Sequence, residues 1–235
     1  MGMKRNALLG LVVLFAGCAT TNVVQKSGAV SPLGVVAITS AHDIGWYGEQ
    51  KKSGGLLGNI IEKAVDKKTG ENAEQLIVDI EKRLRDTLAM KGVNVIEPSK
   101  IQGSDAYQKA KADKLLSSGG VITPSGYKIV NAQNKDLMVQ LAKSAGLKSG
   151  LYAGIAFDKM MDTGVEKNGT AAAAVTLNVI LVDEKGKAVL QKSFFGKSTK
   201  TFAIVGGVYK PSDLMSLFPE AADAACRKFA DSFTE

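Results

Sequence analysis

The chain has 235 residues, 45% of them hydrophobic, and carries 30 Lys and Arg against 23 Asp and Glu, a formal charge of +7. The basic surplus is modest and spread along the chain. No block of basic residues interleaved with aromatics marks a nucleic-acid surface, so no nucleic-acid partner is expected. Two cysteines are too few for a disulfide-dense scaffold, so a hydrophobic core must carry the fold.

Lys4 and Arg5 open the chain, Ala7 to Ala16 form an apolar run broken by Gly10, and Ala16 and Gly17 lead into Cys18. A charged start, a short apolar stretch and a small-residue end make a secretory signal peptide. The run is too short to cross a bilayer as a helix, which takes about 20 residues. The string Phe15-Ala16-Gly17-Cys18 resembles the bacterial lipoprotein box, with Phe15 where Leu is usual. The resemblance implies cleavage before Cys18, a diacylglyceryl thioether on its sulfur and an acylated amine, with membrane lipid as the partner of that residue. Ala19 in place of Asp favours the outer over the inner membrane. Residues 1–17 are thus expected to be removed and residues 18–31, small and polar, to form a tether. Residues 32–235 then make a single domain in the periplasm or at the cell surface. Loss of Lys4 and Arg5 leaves 28 basic residues against 23 acidic ones.

Leu33 to Thr39 is a β-branched apolar run that reads as a buried strand. His42, Trp46 and Tyr47 follow in a loop or strand continuation. Leu56, Leu57, Ile60, Ile61, Ala64 and Val65 suit a short amphipathic helix behind Gly54-Gly55. Glu71 to Lys91 is the clearest helix, with Ala73, Leu76, Ile77, Ile80, Leu84 and Leu88 on one face and Gly92 closing it. Val93 to Glu97 alternates as a strand. Ser104 to Leu116 reads as a short helix, and Asn131 as the cap of another running to Ala145, closed by Gly146. Leu151 to Phe157 and Asn168 to Val182 read as strands. Asp183-Glu184-Lys185-Gly186 turns the chain into Lys187 to Lys197. Thr201 to Tyr209 adds a further strand. Pro211 opens the C-terminal helical stretch, with Ser212 or Asp213 as caps and Pro219 near the start of its main segment. Phe218, Ala222, Ala225, Cys226, Phe229 and Phe233 share one face there, making Cys226 a buried structural thiol. The fold class is a mixed α/β or α+β layout: helices packed on a sheet, a long central hairpin and a C-terminal helix.

Two blocks carry a further likeness. One is the helix ending RLRDTLAMKGVNVIEPSKI at 83–101. The other is LAKSAGLKSGLYAGIAF at 141–157, followed by AAVTLNVILVDEKGKAVLQKS at 173–193 and an Ala-rich closing helix. Together they resemble exported lipoproteins of the broad CsgG, LpoB and TolB amino-terminal-domain type. The shared motifs are structural and contain no catalytic residue. The resemblance implies a module that binds a protein partner in the envelope. Its alternative is a homo-oligomeric secretion channel of the curli type.

Chemistry offers little else. His42 is the sole histidine and stands beside Asp43, but no nucleophile-elbow sequence accompanies it. One histidine and one unacylated cysteine give no metal-ligand spacing, and Gly54-Gly55-Leu56-Leu57-Gly58 lacks the ending of a phosphate loop. No metal, cofactor or enzymatic activity is expected, with a small-ligand carrier or enzyme as the second alternative. Trp46, Tyr47, Leu56, Leu57, Ile60 and Ile61 are the candidate contacts with a partner or a membrane, since aromatics and amphipathic apolar faces serve such surfaces.

Overall fold

The computed structural model describes residues 25–48, 73–114, 117 and 120–234. In chain order the elements are β1 (Gln25–Lys26), α1 (Ser27–Val30), β2 (Leu33–Ala41), β3 (Gly45–Trp46) and α2 (Glu74–Ala89). β4 (Val95–Ile96), α3 (Pro98–Gln102), α4 (Asp105–Lys109), β5 (Val121–Ile122) and α5 (Lys135–Ala145) follow. The chain ends with β6 (Ser149–Val165), β7 (Asn168–Asp183), β8 (Ala188–Val205), α6 (Pro211–Met215), α7 (Phe218–Ala230) and β9 (Phe233–Thr234).

The main sheet has the order β4-β2-β6-β7-β8. β2 pairs in parallel with both β4 and β6, because α2 and α5 carry the chain back before β4 and β6 begin. β6, β7 and β8 are joined by short turns and run antiparallel. This is a mixed sheet with helices, an α+β arrangement. Every residue of β2 is buried, which is why its sequence is nearly unbroken apolar rather than alternating.

Helices cover both faces of β2 and the start of β6. On one face α2 inserts Ile77, Ile80, Leu84 and Leu88, and α7 inserts Phe218, Ala222, Cys226 and Phe229, against Val175, Leu177, Val179 and Leu181 of β7. Each fully buried Ile, Leu, Val or Phe among them contributes about 1.5–3 kcal/mol. On the other face Leu137, Met138 and Leu141 of α5 pack with Ile101, Tyr107 and Val36. They sit close because Gly34 and Gly150 are cross-strand partners with no side chains; a Cβ on Gly150 would come within 2.5 Å of Met138 Sδ.

Several boundaries depart from the sequence reading. The helix expected over 71–91 spans Glu74–Ala89, and the strand expected over 93–97 is only Val95–Ile96. The helix expected over 104–116 is cut to Asp105–Lys109, capped by Ser104 Oγ, which accepts from Tyr107 N. Tyr107 there is buried, its hydroxyl donating to Val36 O at 2.9 Å and accepting from Lys128 N at 2.8 Å. That anchorage turns the chain away from helix at Ala110, which is extended. Asn134, not Asn131, caps α5, accepting from Leu137 N at 3.1 Å; Asn131 accepts from Gln133 N in the preceding turn. Gly146 closes α5 in the left-handed conformation, as expected. Neither Ser212 nor Asp213 is a cap: both lie inside α6, which starts directly at Pro211. Phe233 is buried from β9, beyond the end of α7, rather than from the helix face.

The strand expected over 151–157 extends to Ser149–Val165, and β8 departs as well. Thr201 onward is not a separate strand, because β8 runs unbroken through Lys197 to Val205. Its pairing with β7 slips between Ala172 and Ala174. The buried Ser198 hydroxyl fills that slip, accepting from Ala173 N at 3.1 Å and donating to Lys200 O at 2.7 Å. A bulge satisfied in this way bends a strand without ending it. β6, β7 and β8 hold 17, 16 and 18 residues. At about 3.3 Å per residue they span roughly 50 Å from end to end.

Side chains cap three backbone groups along the outer edge of β8. Gln25 Nε2 donates to Val189 O, Lys228 Nζ donates to Phe195 O, and Glu220 Oε1 accepts from Thr199 N. Such caps remove the exposed ladder groups that otherwise invite pairing with another chain.

Candidate functional site

Cys18 lies outside the described residues, as do Leu56, Leu57, Ile60 and Ile61. The residues nearest to Cys18 are informative. Residues 25–31, read as the last part of the tether, belong to the fold. Gln25 and Lys26 pair in parallel with Phe233 and Thr234, and Val30 is buried. Ser27 Oγ donates to Lys91 O at 2.7 Å, and Ser149 Oγ donates to Val30 O at 2.5 Å. The segment is therefore stitched to the start of β6 and to the turn after α2. The chain enters the fold at the end of the sheet where β2, β6 and β8 begin, here called the base.

The opposite end, the tip, is formed by the turn after Val165 and the loop after Val205. Val165 pairs with Asn168, Asn168 with Val205, and Val205 bridges to Val208. Residues in direct register point to the same side of a sheet. Val165, Val205 and Val208 thus lie in one row, and they are 63%, 73% and 71% exposed. Sequence reasoning missed them, because single valines in a strand pattern carry no sign of which strand ends project beyond the core.

The two aromatics proposed as contacts are separated by the structure. Trp46, in β3, is half-buried against the main core, with Lys159 Nζ 5.2 Å from its ring centroid. Lys159 is itself buried, donates to the Tyr209 hydroxyl at 2.8 Å and lies over the Tyr209 ring. Trp46 is thereby a wall around a lysine inside the fold. Tyr47 remains 45% exposed, leaning on Phe195 at 4.9 Å between centroids, and stays available as a contact. Tyr127, whose sequence context fits core and interface alike, is half-buried against the same core.

His42 Nδ1 lies 2.8 Å from Asp43 Oδ1, and its Nε2 lies 3.6 Å from Glu74 Oε1. Both nitrogens thus face carboxylates, while the nearby Ser40 hydroxyl donates to Ala41 O. A serine-type site needs the base's second nitrogen on a nucleophile, and His42 turns that nitrogen to Glu74. Among the described residues no group of three or more His, Cys, Asp or Glu is placed to hold a metal ion.

Cys226 is buried on α7, and burial pushes its thiol up to about 12. The thiolate is the reactive form, so this thiol is inert at neutral pH. A thiol reagent such as an aromatic disulfide should label Cys226 only after denaturant is added; labelling of the native protein at the denatured rate would contradict this placement.

Glu81, on α2, is a carboxyl that the fold perturbs. Burial is the main cause and raises it above its ordinary value of 4.5; Arg85 opposes the rise. Arg85 Nε lies 2.5 Å from Glu81 Oε1 and its Nη1 lies 2.8 Å from Glu97 Oε2. A carboxyl raised by folding favours the folded state below its unfolded value. That contribution is lost as pH climbs through the raised folded value. Arg85 limits the loss at neutral pH. Arg85→Met is expected to cost about 1 kcal/mol at pH 7, less than a fully buried pair because water reaches one side. The gap from the unaltered protein should narrow as pH falls into the carboxyl range. Urea unfolding at pH 7 and pH 4 measures it, and a gap that widens in acid would reverse the assignment.

No protein-family model matches the chain, and no curated protein sequence is detectably similar to it. Among the described residues no helix is long and apolar enough to cross a membrane.

Proposed function

We propose that the protein is a lipid-anchored lipoprotein of the bacterial cell envelope, held by acylated Cys18, whose α+β domain is a non-enzymatic binding module for another envelope component. The observation that carries this reading is the ordered sequence Lys4-Arg5, the apolar run 7–16 and Ala16-Gly17-Cys18. The arrangement of the domain supports it. The chain enters at the base, and the exposed row Val165, Val205 and Val208 stands at the far end of strands about 50 Å long. Exposed apolar side chains on a rigid sheet are suited to recognition, and an anchor at the other end leaves them free to meet a partner. The outer membrane is the favoured location.

The test is crosslinking in intact cells from a photoreactive residue at Val205, with a second at Gln191 near the base as reference. A discrete protein adduct from Val205, absent from Gln191 and lost in Val165→Ser/Val208→Ser, is expected. Adducts equal at both positions would remove the tip from the reading. A large ring in mild detergent would replace the accessory module with an oligomeric channel.

A further inference from the structure

The base of the sheet carries a concentration of positive charge. Lys26 precedes α1, Lys148 precedes β6, and Lys185 and Lys187 stand in the turn between β7 and β8; all four are exposed. They meet at one end because the strand starts meet there. Leu33 pairs with Ser149, Ser149 with Asp183, and Val182 with Ala188. Lys148 N donates to Pro32 O at 2.8 Å, and Gln25, beside Lys26, donates to Val189 O. Acidic groups share this end and offset part of that charge, Asp183 among them, since accepting from backbone N–H groups leaves its carboxylate ionised. Asp183 Oδ1 accepts from Lys185 N and Lys187 N, and Asp231 is paired with Lys91 at 2.8 Å. Glu184 also stands exposed there, and Lys135 and Asp136, exposed at the start of α5 beside Gly186, offset each other, so the four lysines leave a positive surplus over Asp183 and Glu184.

This is also the end at which the chain outside the structure arrives. Seven residues lie between Cys18 and the first folded pair at Gln25, counting Gln25 itself. Fully extended, they reach about 25 Å. We infer that the base is a docking surface for anionic phospholipid headgroups, so that Lys26, Lys148, Lys185 and Lys187 seat the domain on the membrane with its tip pointing away. The inference rests on the lipid-anchor reading for its orientation and on charge for its partner. Lysines near an anionic surface each add to binding and are screened within a Debye length. The acyl chains on Cys18 hold the chain at the bilayer, and the basic patch orients the domain on it. A second copy of this chain would bring the same lysines face to face, which like-charge repulsion opposes.

The experiment uses the mature chain carrying Cys18→Ser, which has no acyl groups, and sedimentation with vesicles. Vesicles rich in phosphatidylglycerol should retain it at low salt, and vesicles of phosphatidylcholine alone should not. Raising salt should release it. Replacing Lys26, Lys148, Lys185 and Lys187 together with Gln should weaken retention by about tenfold or more. Lys167→Gln/Lys210→Gln at the tip should leave it unchanged. The salt series on the Cys18→Ser chain reads the same electrostatics with no lysine replaced, should the fourfold variant fail to fold. Equal retention on both vesicles, no retention on either, or loss from the tip pair instead of the base would overturn the proposal. The mass of the natural chain's N-terminal peptide reports acylation separately, so failure of the anchor and failure of the lysine surface are distinguishable.

Discussion

Cys18→Ser is expected to move the protein out of the membrane fraction. Two or more acyl chains buried at about 0.8 kcal/mol per CH₂ anchor a protein stably, and on the proposed reading the substitution removes all of them. Retention should fall by orders of magnitude, leaving only the weak, salt-sensitive attraction of the lysines at the base. Two measurements check this. Fractionation of cells with and without a salt wash reads the loss of anchoring. Mass determination of the mature N-terminal peptide reads the modification itself. A mature chain that starts elsewhere, or an unmodified Cys18, sinks the proposed function at its root.

Gly196→Ala should be the most damaging single substitution inside the fold. Gly196 lies in β8 directly beneath α7, and a Cβ there would overlap the Ala221 carbonyl oxygen and come within 2.6 Å of Ala225 N. Both obstacles are backbone and cannot rotate aside. The helix would have to lift, and it carries Phe218, Ala222, Cys226 and Phe229 into the main core. Overpacking of side chains alone costs about 1–3 kcal/mol, so a backbone clash should cost about 3 kcal/mol or more. That is a large share of a typical folding free energy of about 5–15 kcal/mol. The urea midpoint should fall with little change in slope. Gly28→Ala is the matched control, since nothing lies within 4 Å of its added Cβ. It should stay within about 0.5 kcal/mol of the original. A Gly196→Ala protein as stable as the control would mean that α7 does not sit this close to β8.

Much of the fold was legible because periodicity reports which face is buried. Ile77, Ile80, Leu84 and Leu88 repeat at helical spacing, and all four are buried on α2. Val175, Leu177, Val179 and Leu181 alternate, and all four face the main core from β7. The turn at Asp183 was legible for a chemical reason: its carboxylate accepts from Lys185 N and Lys187 N. The distal half of β6 was not, since only Leu151 to Phe157 reads as strand against an observed Ser149–Val165. Residues 158–165 of β6 read Asp-Lys-Met-Met-Asp-Thr-Gly-Val, with no clean alternation, yet they pair with β7 to the end. Backbone pairing sustains them where patterning does not. Asn131 and Asn134 are equivalent candidates by residue type, and only the path of the preceding turn decides between them.

The candidate site divides the same way. Trp46 and Tyr47 are adjacent and chemically alike, but packing places one beside a buried lysine and leaves the other exposed on Phe195.

The local features of this protein are written in short stretches of chain: the amphipathic helices, the long hairpin and a thiol destined for the core. These follow from residue type and spacing over a few turns. The tertiary structure alone decided what sits at each end of the sheet. Lys26, Lys148, Lys185 and Lys187 are scattered over more than half the chain and meet only because β2, β6 and β8 begin at one end. Val165, Val205 and Val208 share a row only through cross-strand register. Register is a relation between distant segments, and no window along the chain contains it.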